Sequence, residues 1–350
     1  MQNYNDIQEL LQILESPAFA VDQGEIIFVN DKAQQRQITV GMPIESLFVT
    51  GKEAYAAFTD GRLHLQISVA DTVWDACVTK TMGLDIFQMD RHISEPELRT
   101  LSLAAMQLRS PLNEIMALSE RLLSDEDSET KAKFQRSLMA MQRLVGNMAD
   151  APRYNRNHVC VMQTQNVTAF FCEIMEKATQ LLEQAGYHLT YFAPKGNIFS
   201  LVSAERLERA IYNLLSNAIK FSPVGSAITA KLEHCGETLL ITIEDEGEGL
   251  ATAPSGNIFA RYLREPTLED SRHGMGLGLS YVCSAASAHK GTVLIRQPEG
   301  KGLSVTMTLA IRHKRPGTLS SNPLMVDYSG GQDHALLELS ECLPHTLYKK

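Results

Sequence analysis

Glu205 to Pro223, ERLERAIYNLLSNAIKFSP, carries two faces at once. Leu207, Ala210, Ile211, Leu214, Leu215, Ala218 and Ile219 recur at helical spacing and make one broad apolar stripe. Asn213, Asn217 and Lys220 follow one another at intervals of four and three, which lines two amides and an ammonium along a neighbouring face. Amide oxygens suit a hard cation such as Mg²⁺, which keeps several waters and takes substrate phosphates as further ligands. A lysine one turn on can neutralise a phosphate.

Downstream, the run Leu239 to Ile243 reads as a strand and leads into Asp245-Glu246-Gly247-Glu248-Gly249-Leu250. That is a carboxylate followed by two glycines, Gly247 and Gly249, the residue type needed where backbone approaches a ligand closely. A carboxylate at this point can accept from an exocyclic amine such as that of adenine. Next comes His273-Gly274-Met275-Gly276-Leu277-Gly278-Leu279, whose glycines open an apolar helix through Tyr281, Val282 and Ala285. Free amides at a helix N-terminus suit phosphate. Each signal is weak alone; three in this order are specific.

With these residues the chain resembles the sensor histidine kinases of two-component systems, within the wider superfamily of Bergerat-fold ATP-binding proteins. Asn213 to Phe221 looks like that family's N box, Asp245 to Gly249 its G1 box, Ile258 to Arg264 its F box, and Gly274 to Leu279 its G2 box. The resemblance implies ATP or ADP with Mg²⁺ as cofactors. It makes Asn217 the main metal ligand with Asn213 assisting, Lys220 a phosphate contact and Asp245 the adenine reader. Gly247, Gly249 and Arg264 join them as nucleotide-binding residues, with Gly274, Gly276 and Gly278 on the phosphate side. Residues 250–272 would form a lid. The chaperone and mismatch-repair ATPases of the superfamily carry a water-activating Glu where Asn213 stands here, so intrinsic hydrolysis should be slow. Glu205 and Glu208 lie outside that position and read as solvated helix surface.

The implied architecture is α+β and multidomain. Residues 1–90 form a PAS-like α/β sensor, 91–152 an antiparallel helical hairpin, 160–314 the Bergerat α/β sandwich, and 315–350 a tail with a short helix. In the front stretch, Ala18 to Asp22 and Glu25 to Asn30 read as a hairpin, and 63–69, 73–80 and 84–89 as a three-strand meander. His64, Cys77 and Trp74 are single candidates for a pocket ligand there, and no cofactor is assigned to them. Within the hairpin, Leu98, Leu101, Ala105, Leu108, Leu112, Ile115 and Leu122 trace one coiled-coil seam. Phe134, Leu138, Met141, Val145 and Met148 trace a second. Neither helix pair can bury both flanks alone, so two copies are expected to form a four-helix bundle and hence a homodimer.

One position departs from the family. Its phosphoacceptor motif runs His-Glu-Leu-Arg-Thr-Pro-Leu, and the matching string here is Met106-Gln107-Leu108-Arg109-Ser110-Pro111-Leu112. Met106 and Gln107 therefore occupy the places of the acceptor His and its Glu, and a thioether carries no basic nitrogen to accept phosphate. The reading is an ATP-binding pseudokinase regulator, with a response regulator or another histidine kinase as possible partner. The alternatives are an active kinase that phosphorylates another histidine, such as His92, or a partner chain, and a Bergerat ATPase or purely structural protein.

Composition limits the rest. A net charge of −9, with no dense run of Lys or Arg, argues against nucleic-acid binding. The six cysteines, Cys77, Cys160, Cys172, Cys235, Cys283 and Cys342, show no CxxC or metal-ligand spacing and read as reduced core thiols. The opening MQNYNDIQEL lacks a basic n-region and an apolar core, and no apolar run reaches membrane-spanning length. A cytoplasmic protein without membrane insertion is expected. The segment Ala335 to Leu343 reads as an amphipathic helix packed back on the body of the protein.

Overall fold

The computed structural model describes residues 2–89, 95–122, 128–150, 161–249, 277–298, 302–313 and 331–348. The stretch 250–276, with the F box, Arg264, Gly274 and Gly276, lies outside the described residues, as do His92, Cys160, the acidic turn at 124–127 and most of the linker.

Helix α1 (Gln2–Ile13) leads into the hairpin β1 (Ala18–Asp22) and β2 (Glu25–Val29). The turn between them places Gln23 and Gly24 at positive φ (47° and 87°), the two-residue geometry that matches strand twist. Then come α2 (Asp31–Gln34), capped by the Asn30 side chain, β3 (Phe48–Thr50), α3 (Lys52–Ala56) and the meander β4 (Arg62–Val69), β5 (Thr72–Thr81) and β6 (Leu84–Met89). Helices α4 (Glu95–Leu122) and α5 (Ser128–Asp150) follow, then β7 (Gln163–Asn166), α6 (Val167–Gln184), β8 (His188–Phe192), β9 (Phe199–Val202) and α7 (Ala204–Phe221). The chain continues through β10 (Ala227–Cys235), β11 (Thr238–Glu244), α8 (Gly278–Ala288), β12 (Val293–Arg296), β13 (Ser304–Ala310) and α9 (His334–Glu338). The fold class is α+β, and the chain is multidomain.

Two compact units emerge, residues 1–92 with 248–310, and residues 93–247 with 311–350. In the first, antiparallel strands run in the order β2-β1-β6-β5-β4-β12-β13, with β3 beside β4. The join between β4 and β12 pairs His64 with Val293 and Arg62 with Ile295. Glycine makes this approach possible. A Cβ on Gly61 would lie 2.2 Å from the Ile295 carbonyl oxygen, and one on Gly51 would lie 2.5 Å from the Thr292 methyl. Phe19 and Phe87 stack at 4.9 Å in a core completed by Ile26, Leu65, Ile67 and Val78.

In the second unit β8 runs parallel to β10, which is antiparallel to β11, while β7 and β9 form a separate two-stranded sheet. The apolar stripe of α7 is buried throughout: Leu207, Ala210, Ile211 and Leu215 expose nothing. The hairpin of α4 and α5 closes over Ala105, Leu112, Leu138, Val145 and Ala149. Only part of each expected seam is thus used within one chain, for Leu108, Ile115, Phe134 and Met141 are exposed. The tail also differs from expectation. Its helix ends at Glu338 rather than Leu343, and a short 3-10 turn at His345–Tyr348 follows, with the Tyr348 hydroxyl donating to the Leu336 carbonyl at 2.8 Å. Among the described residues no helix is long and apolar enough to cross a membrane.

Candidate functional site

Helix α7 delivers the N-box side chains, and the end of β11 delivers Asp245. The two elements meet at Gly247. Its amide donates to Asp245 Oδ1 at 2.8 Å, and a Cβ there would lie 2.4 Å from the carbonyl oxygen of Phe221, the last residue of α7. Glycine at 247 therefore holds the turn against the helix end while Asp245, half-buried, caps it. In the other unit Gly249 adopts φ +72°, with space for no side chain beside Gln297 and Gly302, and Gly278 is the first residue of α8.

The second polar layer of α7 was not anticipated. Arg209, one turn before Asn213, is buried and donates from Nη1 to Asp150 Oδ2 (2.8 Å), from Nη2 to Asn147 Oδ1 (2.8 Å) and from Nε to Glu338 Oε1 (3.1 Å). Arg143 of α5 is equally buried. Its Nε donates to Glu338 Oε2 (3.2 Å), its Nη1 to Ser216 Oγ (3.3 Å) and its Nη2 to Asn213 Oδ1 (3.2 Å), and Glu341 Oε2 lies 3.5 Å from Nη1. Asn213 spends the other end of its amide on the Arg209 carbonyl, at 2.8 Å. Lys220 pairs with Glu341. The sequence signal that could have revealed this layer is the i, i+4 pair Arg209 and Asn213, which extends the polar face of α7 one turn toward its start.

Electrostatics follow from that packing. Burial works to raise the Glu341 carboxyl, but the Arg143 and Lys220 charges and the Lys220 hydrogen bond outweigh it and hold the group below its ordinary range. Glu208 is corrected from solvated surface to a largely buried group: its Oε2 meets His334 Nδ1 at 2.9 Å, and burial raises its carboxyl although His334 acts the other way. Glu205 is partly exposed, 3.8 Å from Arg209. In the front unit, His64 is buried on β4 with Nε2 3.5 Å from Asp75. Burial disfavours its charge, yet Cys283 and Asp75 push it up to about 10. Trp74 lies under the Arg36 guanidinium at 5.0 Å, and Cys77 is buried. The expectation of core thiols holds for Cys77 and Cys283 but not for Cys235, which is exposed; all five described cysteines are unbridged. Met106 on α4 is 56% exposed.

Residues 202–313 match the family described as histidine kinase-, DNA gyrase B-, and HSP90-like ATPase. Over 268 residues the chain is 24% identical to histidine kinase P4 of Formosa agariphila, covering 73% of this chain and 19% of that protein. The chain therefore carries a domain similar to this ATPase family, and its listed relatives are histidine kinases. A second relative, the sensor-like histidine kinase SenX3 of Mycobacterium tuberculosis, is 28% identical over 210 residues, which is 58% of this chain and 51% of SenX3. The chain thus spans about half or less of the length of these curated relatives. Among solved structures, full-length ShkA in complex with AMPPNP is similar in fold, with a TM-score of 0.51 at 19% identity over 63% of this chain and 47% of ShkA.

Proposed function

We propose that this protein is a Mg-nucleotide-binding regulator that acts as a homodimer through α4 and α5 and does not phosphorylate itself at position 106. Supporting the nucleotide reading above all is the Gly247 turn, a place where only glycine brings a carboxylate and the end of α7 together. Asp245 would accept from the adenine amine. Asn217 would hold Mg²⁺, with Asn213 assisting once it is released from Arg143, and Lys220 would meet phosphate. Gly249, Arg264, Gly274, Gly276 and Gly278 would complete the site. Bound Mg²⁺ would supply charge neutralisation of the phosphates.

Against transfer to this chain stands Met106, exposed where the family carries its acceptor and unable to hold a phosphoryl group. A response regulator or an active kinase chain remains the class of partner that such a dimer would regulate. The strand order of the front residues, β2-β1-β6-β5-β4, fits a PAS-like sensor.

Calorimetry with Mg-ADP tests the site. A charge-assisted hydrogen bond contributes about 1.5–3 kcal/mol, so Asp245→Asn and Asn217→Asp should each weaken binding roughly ten- to hundredfold. Unchanged affinity in both variants would remove the assignment.

A further inference from the structure

Two of the three N-box polar side chains are already occupied in this structure. Asn213 is held between Arg143 and the Arg209 carbonyl, and Lys220 is held by Glu341. The tail supplies the anions. Glu338 binds both buried guanidiniums, and Arg136 of α5 donates from Nε to the Ser340 carbonyl (3.0 Å) and from Nη2 to the Glu341 carbonyl (3.2 Å), which fixes the backbone carrying the second carboxylate. Cys342 Sγ lies 3.1 Å from Ser216 Oγ, so the segment lies along α7 itself.

Charge counting sharpens the point. Arg143, Arg209 and Lys220 face Asp150, Glu338 and Glu341, with Glu205 at the edge 3.8 Å from Arg209. Asp150 and Glu338 pair with the guanidiniums, and their exposure is slight. Glu341 is different: its side chain is 21% exposed and it reaches the one ammonium of the set. If it swings away, Lys220 loses its carboxylate partner, and a phosphate oxygen can take that place.

From this arrangement we infer that the tail around Glu341 is a tethered competitor of the nucleotide, its carboxylate taking the place at Lys220 that a nucleotide phosphate would take. The inference rests on the proposed nucleotide site. Binding of Mg-nucleotide then requires the 339–343 segment to leave α7, which frees Lys220 while Arg143 stays on Glu338. Glu338, buried and shared by two arginines, is the anchor; Glu341 is the part that exchanges.

The test is calorimetric titration of the full chain with Mg-ADP in four forms. Glu341→Gln keeps the shape of the tail and the Glu338 anchor but removes the competing charge, so affinity should rise about tenfold over wild type. Ser216→Cys places a thiol against Cys342. Oxidation then ties the tail to α7, and affinity should fall about tenfold and return on reduction. Asp245→Asn serves as the control on the site. Equal affinity in wild type, Glu341→Gln and both redox forms of Ser216→Cys, with binding still weakened by Asp245→Asn, would overturn the competitor and leave the nucleotide site standing. Binding that ignores Asp245→Asn, or no binding in any form, would overturn the site and the competitor together.

Discussion

At position 106 the chain carries a thioether, which has no nitrogen to accept phosphate, and the proposed lack of self-phosphorylation turns on that side chain. Met106 is exposed on α4, four residues before the Ser110-Pro111 pair, so a side chain placed there is open to solvent. Met106→His with Gln107→Glu should therefore introduce acid-labile, base-stable label from γ-labelled ATP where the wild type takes none. Label on the wild type that vanishes in His92→Gln would instead show that another histidine serves. Residue 213 was legible as a polar position in the sequence, yet its engagement was not. An Asn on a helix announces its face, while its partner Arg143 is 70 residues away and the anion that orients that arginine is in a tail no motif covers.

Among the elements, α4 and α5 show what a heptad pattern can and cannot reveal. The seams predicted two apolar rows, and the structure divides each: Ala105, Leu112, Leu138 and Val145 close the hairpin, whereas Leu108, Ile115 and Met141 face out. An outward row of this kind is uncovered in one chain, and a second hairpin would cover it. Leu108→Glu with Ile115→Glu, which spares the internal core, should turn a dimer into a folded monomer in light scattering with the helical circular dichroism retained. A wild-type monomer at micromolar concentration would defeat the homodimer. Most strands were visible from alternation and turn residues, β11 to within one residue at each end. The short strands β3, β7 and β9 were not, because three or four residues carry too few alternations to register and β7 (QTQN) has no apolar side at all. The tail helix was overextended because amphipathic spacing continues to Leu343, while Leu339 and Leu343 are buried without helical backbone between them.

For the molecule as a whole, buried charge is a fastening. Glu338 is 1% exposed and bonds both Arg143 and Arg209, so Glu338→Ala would take a shared carboxylate from two buried guanidiniums. Removing one partner from a buried pair costs about 3–5 kcal/mol. The variant should unfold at a clearly lower urea concentration; a midpoint within error of wild type would mean that the arginines find solvent or Asp150 suffices. A different kind of fastening joins β4 to β12. It is a main-chain ladder admitted by Gly51 and Gly61, with Asp60 and Arg296 3.2 Å apart at its end. Anyone cutting the chain near residue 160 to isolate the ATPase part would strip the cover from β12 and leave an open row of amides and carbonyls. Such a fragment would be prone to pair with its own copies, so its solubility and apparent oligomeric state would report the scissors rather than the protein.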